Sequence, residues 1–483
     1  MLFNSFQFLI FFPIVFLIYF AVPMRFRKYV MLAASLYFYM AWKPAYILLI
    51  IMTSLVAYFS ALIMEKPQAA KYKKTVLIFA LIINIGTLFL FKYFNFFNVT
   101  LSSVLGVKQL LPHFNLLLPI GISFYTFQTV SYFIDVYRGK FKAEKNYPYF
   151  LLYVTFFPQL VAGPIERADR LLPQLKNPKP FSYDSAAEGV RYMVLGMFKK
   201  IVIADNLAVC VDMVYGNLEG SNGLQLAIAA VIFTVQLYCD FAGYSDIAVG
   251  AARVFGVELM QNFHRPFFSK SMNEFWQRWH YSLAIWLRDY IYFPLGGSRC
   301  SAVRHLFNLL VVFFFSGLWH GASITYVLWG VLNGIIVVIE VLMRKPTDSA
   351  YKKLSLPRTL EKLIKIGYVY IIFVCTCIFV RADTLADVGY IYKTIWADKA
   401  SYFNLAFVRE SLAAMNLNTF NIVFYSLLIF SLFLIGLLSR KEPITRIVAR
   451  QKTPIRWTIY ILAVLVLFIF RYSGVANFIY FQF

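Results

Sequence analysis

Apolar runs long enough to cross a bilayer recur along this chain, and the polar stretches between them are short and mostly basic. The first run, 6–22, has no basic residue before it and is followed by Arg25, Arg27 and Lys28. A cleavable leader carries its positive charge in front, so this run reads as a retained helix with its N-terminus outside. Further runs lie at 29–63 (turning at Trp42-Lys43-Pro44), 75–95, 114–137, 148–165, 186–215, 224–256, 303–319, 322–343, 364–380, 420–438 and 456–472. At roughly 20 residues per crossing, the pattern predicts about eleven transmembrane helices.

Three stretches depart from simple spans. Residues 148–165 contain Pro158, Gly163 and Pro164 between basic segments and predict a re-entrant hairpin, a backbone form tolerated at membrane depth only inside protein or a wet cavity. Residues 258–300 mix charges with Trp and Tyr and are expected to lie at, or dip into, the cytoplasmic interface. Residues 381–419 mix acidic, basic and aromatic positions and are expected outside, with an amphipathic helix on the outer surface. No internal repeat or soluble domain interrupts the pattern, so the chain reads as one polytopic domain, 1–483.

Composition agrees with the pattern: 60% of the 483 residues are hydrophobic and only 14% charged, which places the chain among all-α integral membrane proteins. The net charge of +23 changes the picture by its placement. Lys and Arg gather at 25–28, 66–74, 138–145, 344–365 and 440–456, which assigns these segments to the cytoplasm. Anionic lipid headgroups or a phosphorylated cytosolic donor are the partners expected of such a rim, and nucleic acid is not, since no soluble basic domain is present. The five Cys show neither a disulfide framework nor a zinc spacing and read as small apolar fillers.

The chemistry narrows by elimination. The chain has no G-x-S-x-G elbow, P-loop, H-E-x-x-H or Cys-x-x-Cys, and no ligand set spaced for a metal. What remains is a set of polar residues within apolar sequence. His320, in FFFSGLWHGA, is the sharpest: Gly317 and Gly321 allow close approach, while Trp319 and the Phe run exclude water. A neutral imidazole there suits a general base that activates a hydroxyl, and a core histidine bonded to a carbonyl is the structural alternative. His280 follows Trp276-Gln277-Arg278-Trp279 and, on a helix, would share a face with Trp276, as Glu274 would with Arg278. It reads equally as a second site histidine or as part of an interfacial aromatic-basic helix. His113, His264 and His305 read as surface residues. Asp240, Asp246 and Asp289 need partners if buried, with Arg253, Arg278 and Arg288 as candidates, and they read as architecture. Lys199, Lys200 and Asp205 in FKKIVIADN read likewise.

YCDFAGYSDIAVGAARVFGVELMQNFHRPF, then EFWQRWHYSLAIWLRDYIYFPLGGSR, then SGLWHGA, in this order, resemble the membrane-bound O-acyltransferase family. QLVAGPIERADRLLPQL, KKIVIADNLA and the terminal FIYFQF are similar to its alginate O-acetyltransferase branch. These motifs lie mainly within 119–343, with additional apolar segments from 364 to 483. The resemblance implies a ring of helices around a thin floor, re-entrant helices lining a funnel, and an acyl group passed from a cytoplasmic thioester, acetyl-CoA in the simplest case, to a hydroxyl at the outer face. It places the family's histidines on His320 and His280. From chemistry and position, Trp276, Trp279, Trp286 and Trp319 are expected to line the substrate passage, and Arg278 or Arg288 to contact donor phosphates.

The expected function is therefore O-acetylation of an exported polysaccharide, by a multi-pass protein of the bacterial cytoplasmic membrane working with extracytoplasmic or membrane-anchored partner proteins. No tightly bound cofactor is expected. D-alanyl transfer to teichoic acid is the alternative within the family. A transporter using the buried ionisable groups as a proton relay, or a scaffold of an export complex, is the alternative from another class.

Overall fold

A computed structural model describes residues 1–108, 110–471 and 479. Its elements are helices, with no strand among the described residues. The chain divides into two compact units, residues 1–193 with 244–261 and residues 194–243 with 262–483.

The first unit contains α1 (Phe6–Ala21), α2 (Met24–Met40), α3 (Ile47–Glu65), α4 (Lys73–Leu88), α5 (Phe94–Val104), α6 (Ile122–Tyr137), α7 (Tyr147–Thr155), α8 (Phe157–Leu160), α9 (Ala168–Lys176) and α10 (Tyr183–Met197) as far as residue 193. Residues 25–28, expected as a loop, are instead the first turns of α2. There Arg27 is buried, lies over the rings of Tyr19 and Phe20, and donates to the Lys179 carbonyl at 2.8 Å. The run expected at 75–95 continues through a π-turn at Phe89–Tyr93 to Val104. The run at 114–137 becomes helical only at Ile122, after Gly121 at φ 76°. Side-chain amides satisfy the non-helical chain before it: Asn95 exchanges two hydrogen bonds with the backbone of Phe114, and Asn98 two with Leu111. Over 148–165, expected as a re-entrant hairpin, the chain forms α7 and α8, broken at Phe156 (φ −48°, ψ 107°) and set in a core with Tyr58, Tyr132, Phe150 and Tyr153.

The second unit opens with a π-turn at Phe198–Ala204 that leads into α11 (Asp205–Tyr215). It continues with α12 (Gly223–Val254), of which residues up to 243 belong here, α13 (Met272–Arg278), α14 (Tyr281–Leu287), α15 (Ala302–His320) and α16 (Ile324–Leu354). Then follow α17 (Arg358–Arg381), α18 (Leu385–Ala397), α19 (Leu405–Ala414), α20 (Thr419–Leu438), α21 (Ile444–Ala449) and α22 (Thr453–Ile469). The 258–300 stretch is two short helices and a further π-turn at Arg288–Tyr292. The 381–419 stretch forms α18, opened by a Thr384/Asp387 capping box, and α19. Gly317 of α15 and Gly330 of α16 meet backbone to backbone, so a methyl group at either would collide with the other helix. Their absent side chains let the two helices cross closely, and that crossing fixes the residues at the end of α15.

Seven helices among the described residues are long and apolar enough to cross a membrane, and α1 and α22 are shorter apolar helices. The chain is a multi-pass membrane protein.

Candidate active site

The motif EFWQRWHYSL does not fold as one helix. α13 starts at Ser271, whose hydroxyl accepts from Glu274 N at 3.1 Å. Glu340 of α16 accepts from the free N–H groups of Met272 (2.8 Å) and Asn273 (3.1 Å), so a carboxylate from a neighbouring helix caps the positive end of α13. The helix ends at Arg278, so the expected shared helical face of Trp276 and His280 is not formed, although Glu274 and Arg278 do pair. Trp279 is extended and His280 is left-handed, at φ 46° and ψ 53°.

A residue with a Cβ holds that conformation at a cost of about 1–2 kcal/mol, so neighbouring contacts must impose it. Residues 262–264 supply them. His264 N donates to the Arg278 carbonyl at 3.0 Å and Tyr281 N donates to the Asn262 carbonyl at 2.9 Å. The Asn262 side chain accepts from the Ser282 hydroxyl at 2.7 Å, and both side chains are buried. The turn is clasped on both sides, and the imidazole of His280 is driven into the interior, 2% exposed.

His320, the last residue of α15, is also buried. Its ring centroid lies 6.2 Å from that of His280, 5.0 Å from Trp319 and 5.1 Å from Trp329, which the α15–α16 crossing brings up. His280 packs in turn on Phe241 at 4.6 Å and Trp319 at 5.3 Å. The two histidines thus share one aromatic enclosure. Burial first, and the neighbouring His320 second, hold His280 well below the usual imidazole range, so it is neutral near pH 7. A neutral His280 beside His320 in a dry enclosure offers a place where one proton from a hydroxyl can be accepted.

The remaining expected residues divide. Trp276 joins the enclosure, 5.5 Å from Trp329 and 5.9 Å from Phe313. Trp319 lies against both histidines. Trp279 is buried in a cluster with Tyr238, Phe263, Phe275 and Phe373, and Trp286 is buried against Tyr290. Arg278 is bound to Glu274, and Arg288 is an exposed residue paired with Asp289 at 2.9 Å. The arginines proposed for Asp240 lie elsewhere: Arg253 pairs with Glu188 at 3.1 Å, and Asp240 pairs with Lys200, which also binds Asp205 at 2.8 Å. Asp240 further accepts from Ile479 N at 2.8 Å. Asp246 is half-buried on the part of α12 that belongs to the first unit. His113 and His264 are exposed, and His305 is half-buried.

Sequence reasoning passed over Trp329, Asn333, Glu340 and Asn262. Asn333, a buried amide one turn from Trp329 that donates to the Trp329 carbonyl at 2.8 Å, was the available signal, being polar within an apolar run.

Known proteins resemble this chain over most of its length. The model described as MBOAT, membrane-bound O-acyltransferase family, matches residues 144–382, which include both histidines and most of the enclosure. A probable alginate O-acetylase AlgI of Pseudomonas aeruginosa is 36% identical over 82% of this chain and 75% of its own length. A peptidoglycan O-acetyltransferase of Helicobacter pylori is 33% identical over 80% of this chain and 78% of its own. A teichoic acid D-alanyltransferase of Bacillus subtilis is 27% identical over 47% of this chain and 59% of its own.

Proposed function

Because the chain belongs to the membrane-bound O-acyltransferase family and is an O-acyltransferase, we propose that it takes an acetyl group from a cytoplasmic thioester and delivers it toward the hydroxyls of an exported polysaccharide. The observation that carries this reading is the pair of buried histidines, 6.2 Å apart in one aromatic enclosure. His320 acts as general base on the attacking hydroxyl, and His280, fixed in its left-handed turn, orients the reacting groups. Relatives named for O-acetylation of alginate and of peptidoglycan extend over four fifths of the chain, against less than half for the D-alanyl transferase, and this favours acetyl over alanyl transfer. Acetyl-CoA is the donor we propose, entering from the side of the basic segments, with the N-terminus on the opposite side. Membrane-anchored or extracytoplasmic partner proteins complete the delivery, and anionic lipids hold the basic face at the bacterial cytoplasmic membrane.

The test is the acetyl ester content of exported polysaccharide from cells carrying His320→Ala at wild-type membrane abundance. Loss of ester with polymer still exported supports acyl transfer through His320. Unchanged ester removes His320 from the mechanism and favours a scaffold or transport role.

A further inference from the structure

Buried polar groups in a folded protein almost always find partners, and leaving one unmade costs about 1–3 kcal/mol. Beside the histidine pair two indoles break this rule. The Nε1–H groups of Trp276 and Trp329 are buried and have no hydrogen-bond partner among the described residues. The residues sit on different helices, α13 and α16, and are brought edge to face at 5.5 Å with an interplanar angle of 81°. Trp329 is 5% exposed and 5.1 Å from the His320 ring. Both supports of this arrangement are themselves built: Glu340 caps the start of α13, and Asn333 donates to the backbone of Trp329.

We propose that the indole N–H groups of Trp276 and Trp329 form the oxyanion hole of the acyl transfer. Resting on the reading under Proposed function, this assigns the group that stabilises the negative charge, where that reading assigned only the base. A substrate hydroxyl oxygen attacks the carbonyl carbon of the thioester while His320 takes the hydroxyl proton. The carbonyl π pair moves onto oxygen, and the two N–H groups, already desolvated, receive that charge. Collapse reforms the carbonyl and breaks the carbon–sulfur bond; the thiolate leaves with the proton held on His320. Ester and free thiol are the products, and His320 returns to neutral. Preorganised donors of this kind act without reorganising solvent, which is where an unpartnered donor repays its cost of burial. An indole N–H donates a hydrogen bond but is far too weak an acid to give up its proton, so the charge on oxygen is stabilised without being quenched.

The experiment uses the full-length protein in detergent with acetyl-CoA radiolabelled in the acetyl group, and separates kcat from KM for Trp329→Phe, Trp276→Phe and the double variant. Each single change keeps an aromatic ring and removes the N–H. The expected result is a fall in kcat of about 10²-fold for each, with KM for acetyl-CoA nearly unchanged, and a double variant less impaired than the product of the two. Replacing Trp329 with benzothienylalanine, which has sulfur in place of the N–H and the same ring outline, separates the lost donor from any loss of packing and is expected to match Trp329→Phe. An unchanged kcat, a rise in KM alone, or a benzothienylalanine enzyme with wild-type rate overturns the assignment and makes the indoles walls of the passage. If wild type releases no acetyl from acetyl-CoA, the proposed function fails first and the oxyanion hole with it. Wild-type transfer with undiminished tryptophan variants sinks the oxyanion hole alone.

Discussion

Asn262→Ala removes a buried side chain that ties the left-handed His280 turn to the segment before it. Two hydrogen bonds disappear, from the Ser282 hydroxyl at 2.7 Å and the Ser282 N–H at 3.4 Å, while the Tyr281-to-Asn262 backbone bond survives. Ser282 is fully buried, so its hydroxyl is left without that acceptor, a penalty of about 1–3 kcal/mol. The left-handed residue supplies about 1–2 kcal/mol of its own toward relaxing the turn. Even half of that sum, moved from the clasped to a relaxed turn, lowers the fraction of sites with His280 in place by about tenfold, since each 1.4 kcal/mol is a factor of ten. Acetyl transfer is therefore expected to fall about 10- to 100-fold in kcat, with KM for the donor little changed. Ser282→Ala in the Asn262→Ala background removes that hydroxyl as well, so the double variant is expected to be less impaired than the product of the two singles. His280→Gly is the control: glycine accepts φ 46° freely, and activity is still expected to be lost because the imidazole is gone. Full activity in Asn262→Ala, or a loss matched by equal loss of folded protein on size-exclusion chromatography, refutes the positioning role.

Glu166, fully buried in the first unit and accepting from Met260 N, is pushed up to about 7 by burial, so its protonated form is favoured in the fold. Its stabilising contribution is full below the ordinary carboxylate range and is lost as pH rises through about 7, on the order of 3 kcal/mol, so the melting temperature of wild type in detergent should fall from about pH 5 to 8 while Glu166→Gln flattens the profile. Lys200→Met strands the buried carboxylates of Asp205 and Asp240 and is expected to cost about 3–5 kcal/mol, read as lost yield of folded protein, with Lys200→Met/Asp205→Asn/Asp240→Asn recovering part of it. Gly330→Ala places a methyl group against the backbone of α15 and is expected to cost about 1–3 kcal/mol and to lower transfer more than Gly334→Ala, whose nearest neighbours are side chains as well as backbone.

Hydropathy made most helices of this chain legible, because a span needs about 20 apolar residues and little else in a sequence looks like one. It misplaced the ends of helices where backbone continues without lipid. The run read as 322–343 extends to Leu354 through a basic, exposed segment and stops only where Ser355 turns left-handed and Pro357 follows. The two histidines of the enclosure stand out in sequence, His320 by a glycine-flanked place in an apolar run and His280 by resemblance. The partners could not, because they come from far along the chain. Glu340 caps a helix 68 residues away, and Trp329 reaches Trp276 through a glycine crossing. Asp240 was matched to arginines, and its true partner, Lys200, reaches it through a local irregularity.

That irregularity is the π-turn at Phe198–Ala204. In a regular helix, consecutive side chains diverge by about 100°, so Lys199 and Lys200 would not both turn inward. The wider turn buries both, with Lys200 between two carboxylates and the Lys199 ammonium 5.8 Å from the centroid of Tyr238. Tyr238 packs on Trp279, whose neighbour is His280. The left-handed turn at His280 is another departure from regular backbone in this unit, and the π-turn at Arg288–Tyr292 a further one. Each sits where the sequence carries charge or imidazole within a helical stretch. A sequence pattern reports period, and these positions violate the period. The chemistry was visible as residue types that do not belong in an apolar helix, and its geometry came from the places where the helix gives way to accommodate them.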